Sequence, residues 1–124
     1  MIRGIGIDMI EVDRVGGKIS KENGFREMVF SPSEIDYCES KANPQEHYAA
    51  RFAAKEAFFK ALGSGWKSQT AFHEVEVSHD GQGKPMINLL GQSARTLEEI
   101  AGARIFVSLS HLKRYASAIV IIEQ

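Results

Sequence analysis

Apolar and polar positions alternate from Ile2 to Ile10, which predicts a strand with Ile5, Ile7 and Met9 on one face and Gly4, Gly6, Asp8 and Ile10 on the other. From Glu11 to about Glu22 the spacing of Val12, Val15 and Ile19 predicts a helix, weakened by Gly16-Gly17 and ended by Asn23-Gly24. Phe25 to Phe30 reads as a short helical turn. Ser31-Pro32-Ser33-Glu34 is a helix start, with Ser as N-cap, Pro in the first turn and Glu closing a capping box. That helix is expected to reach about Ser40, before Ala42-Asn43-Pro44 breaks it. A longer helix then starts near Gln45–Tyr48 and runs to Leu62, with Gly63 as its stop and Gly63-Ser64-Gly65 as a turn.

The second half reads as strands. Phe72 to His79 alternates in part, with Val75 and Val77 inward, and Asp80-Gly81-Gln82-Gly83 makes a tight turn into a return strand from Lys84 to Leu90. Pro85 stands at the start of that strand, where proline is tolerated. Ser93 to Ala101 predicts a short amphipathic helix with Ala94, Leu97 and Ala101 inward, closed by Gly102. Ile105, Val107 and Leu109 alternate with Phe106, Ser108 and Ser110 in another strand, and His111 to Arg114 turns the chain. Tyr115 to Glu123 is a last strand, apolar enough at Ile119 to Ile122 to be buried on both faces. The expectation is one α+β domain over residues 1–124, without repeat, linker or low-complexity tract.

Composition narrows the classes. The chain is 44% hydrophobic and 25% charged, as ordinary globular proteins are, and its net charge is −1. Nothing global argues for nucleic acid or a membrane surface. No apolar run approaches the ~18 residues of a membrane span, and the first residues lack a signal-peptide pattern. Cys38 is the single cysteine, which suits a reducing compartment, and it reads as a small core hydrophobe. The expected location is the cytoplasm.

The central helix carries the candidate chemistry. Small and apolar residues cover most of the circumference of Arg51 to Gly63, so it belongs inside a core, yet it bears Arg51, Lys55, Glu56 and Lys60. Buried charges must pair, bind a metal or line a cleft. Glu56 and Lys60 share one edge, where a plain structural ion pair is one reading, and Arg51 and Lys55 share another. Asp8 interrupts an apolar strand beside Gly4 and Gly6, where a second backbone or a ligand can approach closely. A strand Asp and a helix Glu are hard oxygen donors of the kind Mg²⁺ takes when it also binds a substrate phosphate. His111 ends a strand at a turn, where a side chain can reach a cleft. His47, His73 and His79 form no metal set with it, and zinc is not expected. No Gly-x-Ser-x-Gly elbow, phosphate-binding Gly-rich loop or dinucleotide fingerprint is present, so phosphate would have to be held by side chains such as Arg51, Lys60, Lys84 and His111.

Five motifs in register resemble one family, the small bacterial holo-[acyl-carrier-protein] synthases, which are 4'-phosphopantetheinyl transferases. They are Gly4-Ile5-Gly6-Ile7-Asp8-Met9-Ile10-Glu11-Val12; Phe30-Ser31-Pro32-Ser33-Glu34; Arg51-Phe52-Ala53-Ala54-Lys55-Glu56-Ala57 with Lys60-Ala61-Leu62-Gly63; Gly81-Gln82-Gly83-Lys84-Pro85; and Ser108 to His111 with Tyr115-Ala116 and Ala118. The segments Lys41 to His47 and Gly65-Trp66-Lys67 are less typical of it.

The resemblance implies an antiparallel sheet packed on a long central helix, in a homotrimer with active sites at subunit interfaces. It implies Mg²⁺-dependent transfer of the phosphopantetheine arm of coenzyme A to a serine of apo acyl carrier protein, with adenosine 3',5'-bisphosphate leaving. Primary fatty-acid synthesis is the family's usual setting. By the same resemblance Asp8 and Glu56 hold the metal, and Glu56 and Lys60 are the catalytic pair, with Lys60 on the pyrophosphate. Arg51, Gly63, Lys84, Pro85, Ser110 and His111 would contact coenzyme A. The helix carrying Arg14 would receive the acidic carrier protein. Arg14 and Lys18 are four apart on one helical face, with Lys21 and Arg26 following, and they form the local positive patch such a partner needs.

Displacement at phosphorus needs charge neutralised on the transferring and leaving groups, which a metal with Lys and Arg supplies. The serine proton would go to Glu56 or to a water on the metal. Two other classes stay open at this point: a non-catalytic carrier-binding module, and a structural domain whose charges merely pair.

Overall fold

The computed structural model describes residues 1–63, 71–96, 98 and 102–124. The chain begins with strand β1 (Ile2–Glu11) and four helices, α1 (Val12–Ser20), α2 (Phe25–Val29), α3 (Pro32–Glu39) and α4 (Pro44–Leu62). A 3-10 turn (Phe72–Glu74) leads to β2 (Val75–His79), β3 (Pro85–Leu89), the short helix α5 (Gly91–Thr96), β4 (Arg104–His111) and β5 (Tyr115–Glu123). The fold is α+β. One antiparallel sheet has the order β1-β5-β4, and β2-β3 form a separate hairpin.

Helix α4 packs across the three-stranded sheet, and two glycines set the distance. A Cβ on Gly4 would lie 1.9 Å from the Ala61 carbonyl oxygen, and one on Gly6 would lie 1.8 Å from that of Ala57. Any side chain there would push the helix off the strand, so the approach expected from the Gly-x-Gly pattern is that of α4 itself. Ala53, Ala54, Ala57 and Phe58 on α4 are fully buried, together with Val120 and Ile122 of β5. Each large apolar side chain so buried contributes on the order of 1.5–3 kcal/mol.

The opposite face of the sheet is open. Ile5, Ile7 and Met9 are 58%, 63% and 69% exposed, and Phe106 of β4 and Ile119 of β5 continue the apolar surface. Strand β5 is therefore not buried on both faces within one chain: Val120 and Ile122 face α4, while Ile119 faces outward. The side of β1 bearing Ile5, Ile7 and Met9 points away from the helix because at Gly4 and Gly6 the α4 backbone leaves no room for a side chain.

Helix α3 starts as expected. The Ser31 hydroxyl accepts from the Glu34 amide, and the Glu34 carboxylate accepts from the Ser31 amide, 2.9 Å away. Pro44, read as part of a break, instead begins α4, since a first-turn amide needs no helical acceptor. Phe72–Glu74 forms a 3-10 turn where a strand was expected, and β2 starts at Val75. Helix α5 begins two residues before Ser93, and Ser93 is buried while Ala94 is exposed, so the inward face differs from the expected one. Leu97 and Ala101 of that predicted helix, and the turn through Ser64 and Gly65, lie outside the described residues.

Candidate active site

Asp8 sits mid-strand on β1, opposite Ala118 of β5, with its carboxylate toward α4. Lys60, near the end of α4, donates to Asp8 Oδ1 at 3.0 Å and to the Ile7 carbonyl at 3.0 Å. The structural pairing of Glu56 with Lys60 is not the one formed; the lysine crosses to the strand. Glu56, one turn earlier, joins Asp8 in the wall of an open cavity of about 470 Å³ that also takes in Phe52, Arg14, Lys18 and Tyr115. Burial raises the pKa of Glu56, and the charge of Asp8 raises it further, while Lys60 and Lys18 act in the opposite direction. Two carboxylates that repel one another across an open cavity form a site a cation would relieve. Among the described residues no third Asp, Glu, His or Cys completes a cluster with them. Such a two-carboxylate set fits Mg²⁺, which keeps waters and takes phosphate oxygens for the remainder of its shell.

The residues expected around coenzyme A fall elsewhere. Arg51 is buried on the first half of α4, its guanidinium carbon 4.0 Å from the centre of the Tyr37 ring and its Nη2 3.4 Å from His79 Nδ1. His79 ends β2 opposite Pro85, and the adjacent turn holds Lys84, whose amide donates to Asp80 Oδ1. His111 Nδ1 lies 3.0 Å from Glu46 Oε1, and its ring is 5.0 Å from that of His47. Ser110 is exposed on β4 opposite Ser117, and Gly63 ends α4 with φ 74°. Nine residues of helix separate Arg51 from Lys60, a rise of ~14 Å. Arg51 and His111 thus do not line the Asp8–Glu56 cavity of the same chain.

The expected carrier-binding patch divides. Arg14 and Lys18 reach the cavity, and Lys21 is exposed at the end of α1. Arg26 is instead drawn to carboxylates, with Glu27 at 2.9 Å and Glu39 at 3.8 Å, so its charge is largely offset.

Two arrangements had no local signal in the sequence. The first is the partner of Lys55: the side chain, expected to be buried, is fully so and holds the Glu34 carboxylate at 2.7 Å, while also donating to the Phe72 and Val75 carbonyls. Glu34 Oε2 accepts from the Val77 amide, so one ion pair ties α3, α4 and β2 together. Burial lowers the Lys55 pKa and the Glu34 charge opposes that. The second arrangement is an apolar cavity of about 470 Å³ beside Glu56, walled by Phe25, Met28, Phe52 and Phe72.

A family model described as the 4'-phosphopantetheinyl transferase superfamily matches residues 4–120. The chain belongs to that superfamily. As a 4'-phosphopantetheinyl transferase it is an enzyme. It is 44% identical over 124 residues to a holo-[acyl-carrier-protein] synthase of Syntrophus aciditrophicus, covering 99% of this chain and 97% of the relative. The fold is similar to that of the crystal structure of holo-[acyl-carrier-protein] synthase from Neisseria meningitidis, with a TM-score of 0.91, 32% identity and all of both chains covered. It is also similar to a holo-(acyl-carrier-protein) synthase from Bacillus anthracis in complex with CoA (3',5'-ADP), with a TM-score of 0.82, 33% identity and 100% and 98% of the two chains covered. Of the five motifs read from sequence, the first lies on β1 and the third on α4, and the Asp8–Lys60 contact joins these two.

Proposed function

We propose that the chain is a holo-[acyl-carrier-protein] synthase, a single transferase domain that moves the 4'-phosphopantetheine arm of coenzyme A to a serine of apo acyl carrier protein. The observation that carries this reading is the cavity lined by Asp8 and Glu56, with Lys60 bonded to Asp8. The serine oxygen attacks the pantetheine-bearing phosphorus. The phosphoanhydride bond breaks, and adenosine 3',5'-bisphosphate departs with the bridging oxygen. Asp8 and Glu56 would hold Mg²⁺, which when bound neutralises charge on the pyrophosphate. Lys60, already at the carboxylate pair, adds a positive charge to the leaving side. The proton lost by the serine goes to Glu56 or to water in the cavity.

Arg51, Lys84 and His111 are the remaining phosphate-binding residues of this reading, and they stand apart from the cavity in a single chain. We propose that the open sheet face closes in a homotrimer and that a neighbouring subunit supplies them. An exposed stripe of Ile5, Ile7, Met9, Phe106 and Ile119 supports a permanent partner of the same chemistry. No helix among the described residues is long and apolar enough to cross a membrane. A cytoplasmic setting in fatty-acid synthesis belongs to the same proposal. The decisive experiment incubates the protein with coenzyme A, Mg²⁺ and apo carrier protein, and follows the carrier by mass spectrometry. A gain of one phosphopantetheine per carrier that requires Mg²⁺ supports the reading, and an unchanged carrier mass refutes it.

A further inference from the structure

Arg51 holds a charge without a counter-ion among the described residues. It is 2% exposed, and no carboxylate among the described residues comes within ion-pair distance of it. Its Nε is buried and has no hydrogen-bond partner among the described residues. A guanidinium is always charged, and an uncompensated one inside a fold is strongly unfavourable unless an anion arrives. Its planar fork suits a phosphate.

What meets the cation instead is the Tyr37 ring, 4.0 Å from the guanidinium carbon. That ring has little freedom. His79 stacks on it at 4.9 Å with 27° between the planes, and His47 meets it edge-on at 5.8 Å. The Lys41 ammonium sits 4.6 Å from its centre. A ring held in this way limits where the guanidinium over it can move.

We propose that Tyr37 is a positioning residue for coenzyme A: its ring holds the Arg51 guanidinium, with Nε unpaired, ready for a coenzyme A phosphate. This rests on the reading that Arg51 meets such a phosphate. Tyr37 itself acts only through Arg51. Nothing in the local pattern of α3 marks it, since its partner lies on α4.

The test uses the full chain with Tyr37→Leu, Tyr37→Phe and Arg51→Lys. Coenzyme A binding is measured by calorimetry, with KM for the carrier protein and the thermal midpoint alongside. Tyr37→Leu should weaken coenzyme A binding about 5- to 30-fold, the span of a desolvated cation–π contact, while Tyr37→Phe stays within about twofold of wild type. KM for the carrier should not move. Arg51→Lys should also lose affinity, because an ammonium cannot keep the planar fork. If Tyr37→Leu binds coenzyme A like wild type while Arg51→Lys does not, the role of Tyr37 is refuted and that of Arg51 stands. If Arg51→Lys binds normally as well, the underlying reading of Arg51 falls. A Tyr37→Leu variant in which coenzyme A binding weakens and KM for the carrier rises together as the midpoint falls has lost only structure, which overturns the proposal. So does a Tyr37→Phe variant as weak as Tyr37→Leu. Tyr37→Gln takes the same measurements should Tyr37→Leu not fold.

Discussion

Lys60 Nζ stands 3.0 Å from Asp8 Oδ1, reaching across to β1 rather than back to Glu56 on its own helix. Glu56 is left to face Asp8 across the cavity, and its pKa rises from burial and from that charge. The same arrangement offers two carboxylates to a metal and one ammonium to a phosphate. Asp8→Ala and Glu56→Ala should each lower turnover by roughly 10²–10³-fold, about 3–4 kcal/mol of transition-state stabilisation. Lys60→Met should lower kcat/KM by about 10²-fold, while its thermal midpoint stays near wild type, because an exposed pair is worth at most about 1 kcal/mol. Kinetics over a Mg²⁺ titration, beside thermal melts, check all three. Full activity of either carboxylate variant at limiting Mg²⁺ would remove the metal assignment.

Lys55 is the opposite case. Its pair with Glu34 is fully buried and also satisfies two carbonyls. Lys55→Met leaves buried Glu34 without its counter-ion, held only by the Ser31 and Val77 amides, a loss of about 3–5 kcal/mol. The thermal midpoint should fall by about 10–20 °C. Adding Glu34→Gln should restore part of that loss. Denaturant unfolding of the two singles and the double gives the coupling, and strictly additive effects would show that the pair does not act as a unit.

Two histidines should make stability depend on pH. Burial lowers the pKa of His47 and of His79 below the ordinary 6.5; His111 and Arg51 lower His47 further, and Arg51 and Lys41 lower His79 further. Because the folded pKa values are depressed, the unfolded chain binds more protons below about pH 6.5. The contribution is complete above that pH and is lost as pH falls through the folded values. Thermal midpoints should therefore drop between about pH 7 and pH 5. The His47→Gln/His79→Gln double variant should show a shallower drop. An equal slope in both proteins would assign the pH dependence to other groups.

The open sheet face bears on assembly. Ile7 is 63% exposed in one chain. If this face closes in the proposed trimer, Ile7→Glu should yield monomers by sedimentation analysis, with the helical circular dichroism unchanged. If the site spans two subunits, inactive Asp8→Ala and inactive His111→Ala chains should recover activity when co-expressed. Two inactive parents that give an inactive mixture would place the whole site within one subunit.

Docking of the carrier protein separates two arginines. Arg14 reaches the cavity, whereas Arg26 is paired with Glu27 and Glu39. Arg14→Glu should raise KM for the carrier but not for coenzyme A, most clearly at low salt, where surface charge is least screened. Arg26→Glu should have a smaller effect. Equal effects of the two variants would mean that the docking surface is centred elsewhere.

The amino-acid sequence by itself determined what depends on neighbours a few residues apart. The strand alternation, the Ser31–Glu34 capping box, the buried character of α4 and the five family motifs are all of that kind. Asp8, Glu56 and Lys60 could be singled out because a charge in an apolar stretch is anomalous wherever it lies. Tertiary structure alone decided the partners. Lys60 took a residue 52 positions away and Lys55 one 21 positions away, while Arg51 met Tyr37 from another helix. Which face of β1 met the helix was also a tertiary matter. Alternation shows two faces, but only the clash of a Cβ at Gly4 or Gly6 with the α4 backbone forces Ile5, Ile7 and Met9 outward. Pairings of this sort follow from how elements stack in space, and a side chain's local pattern carries no record of what is stacked against it.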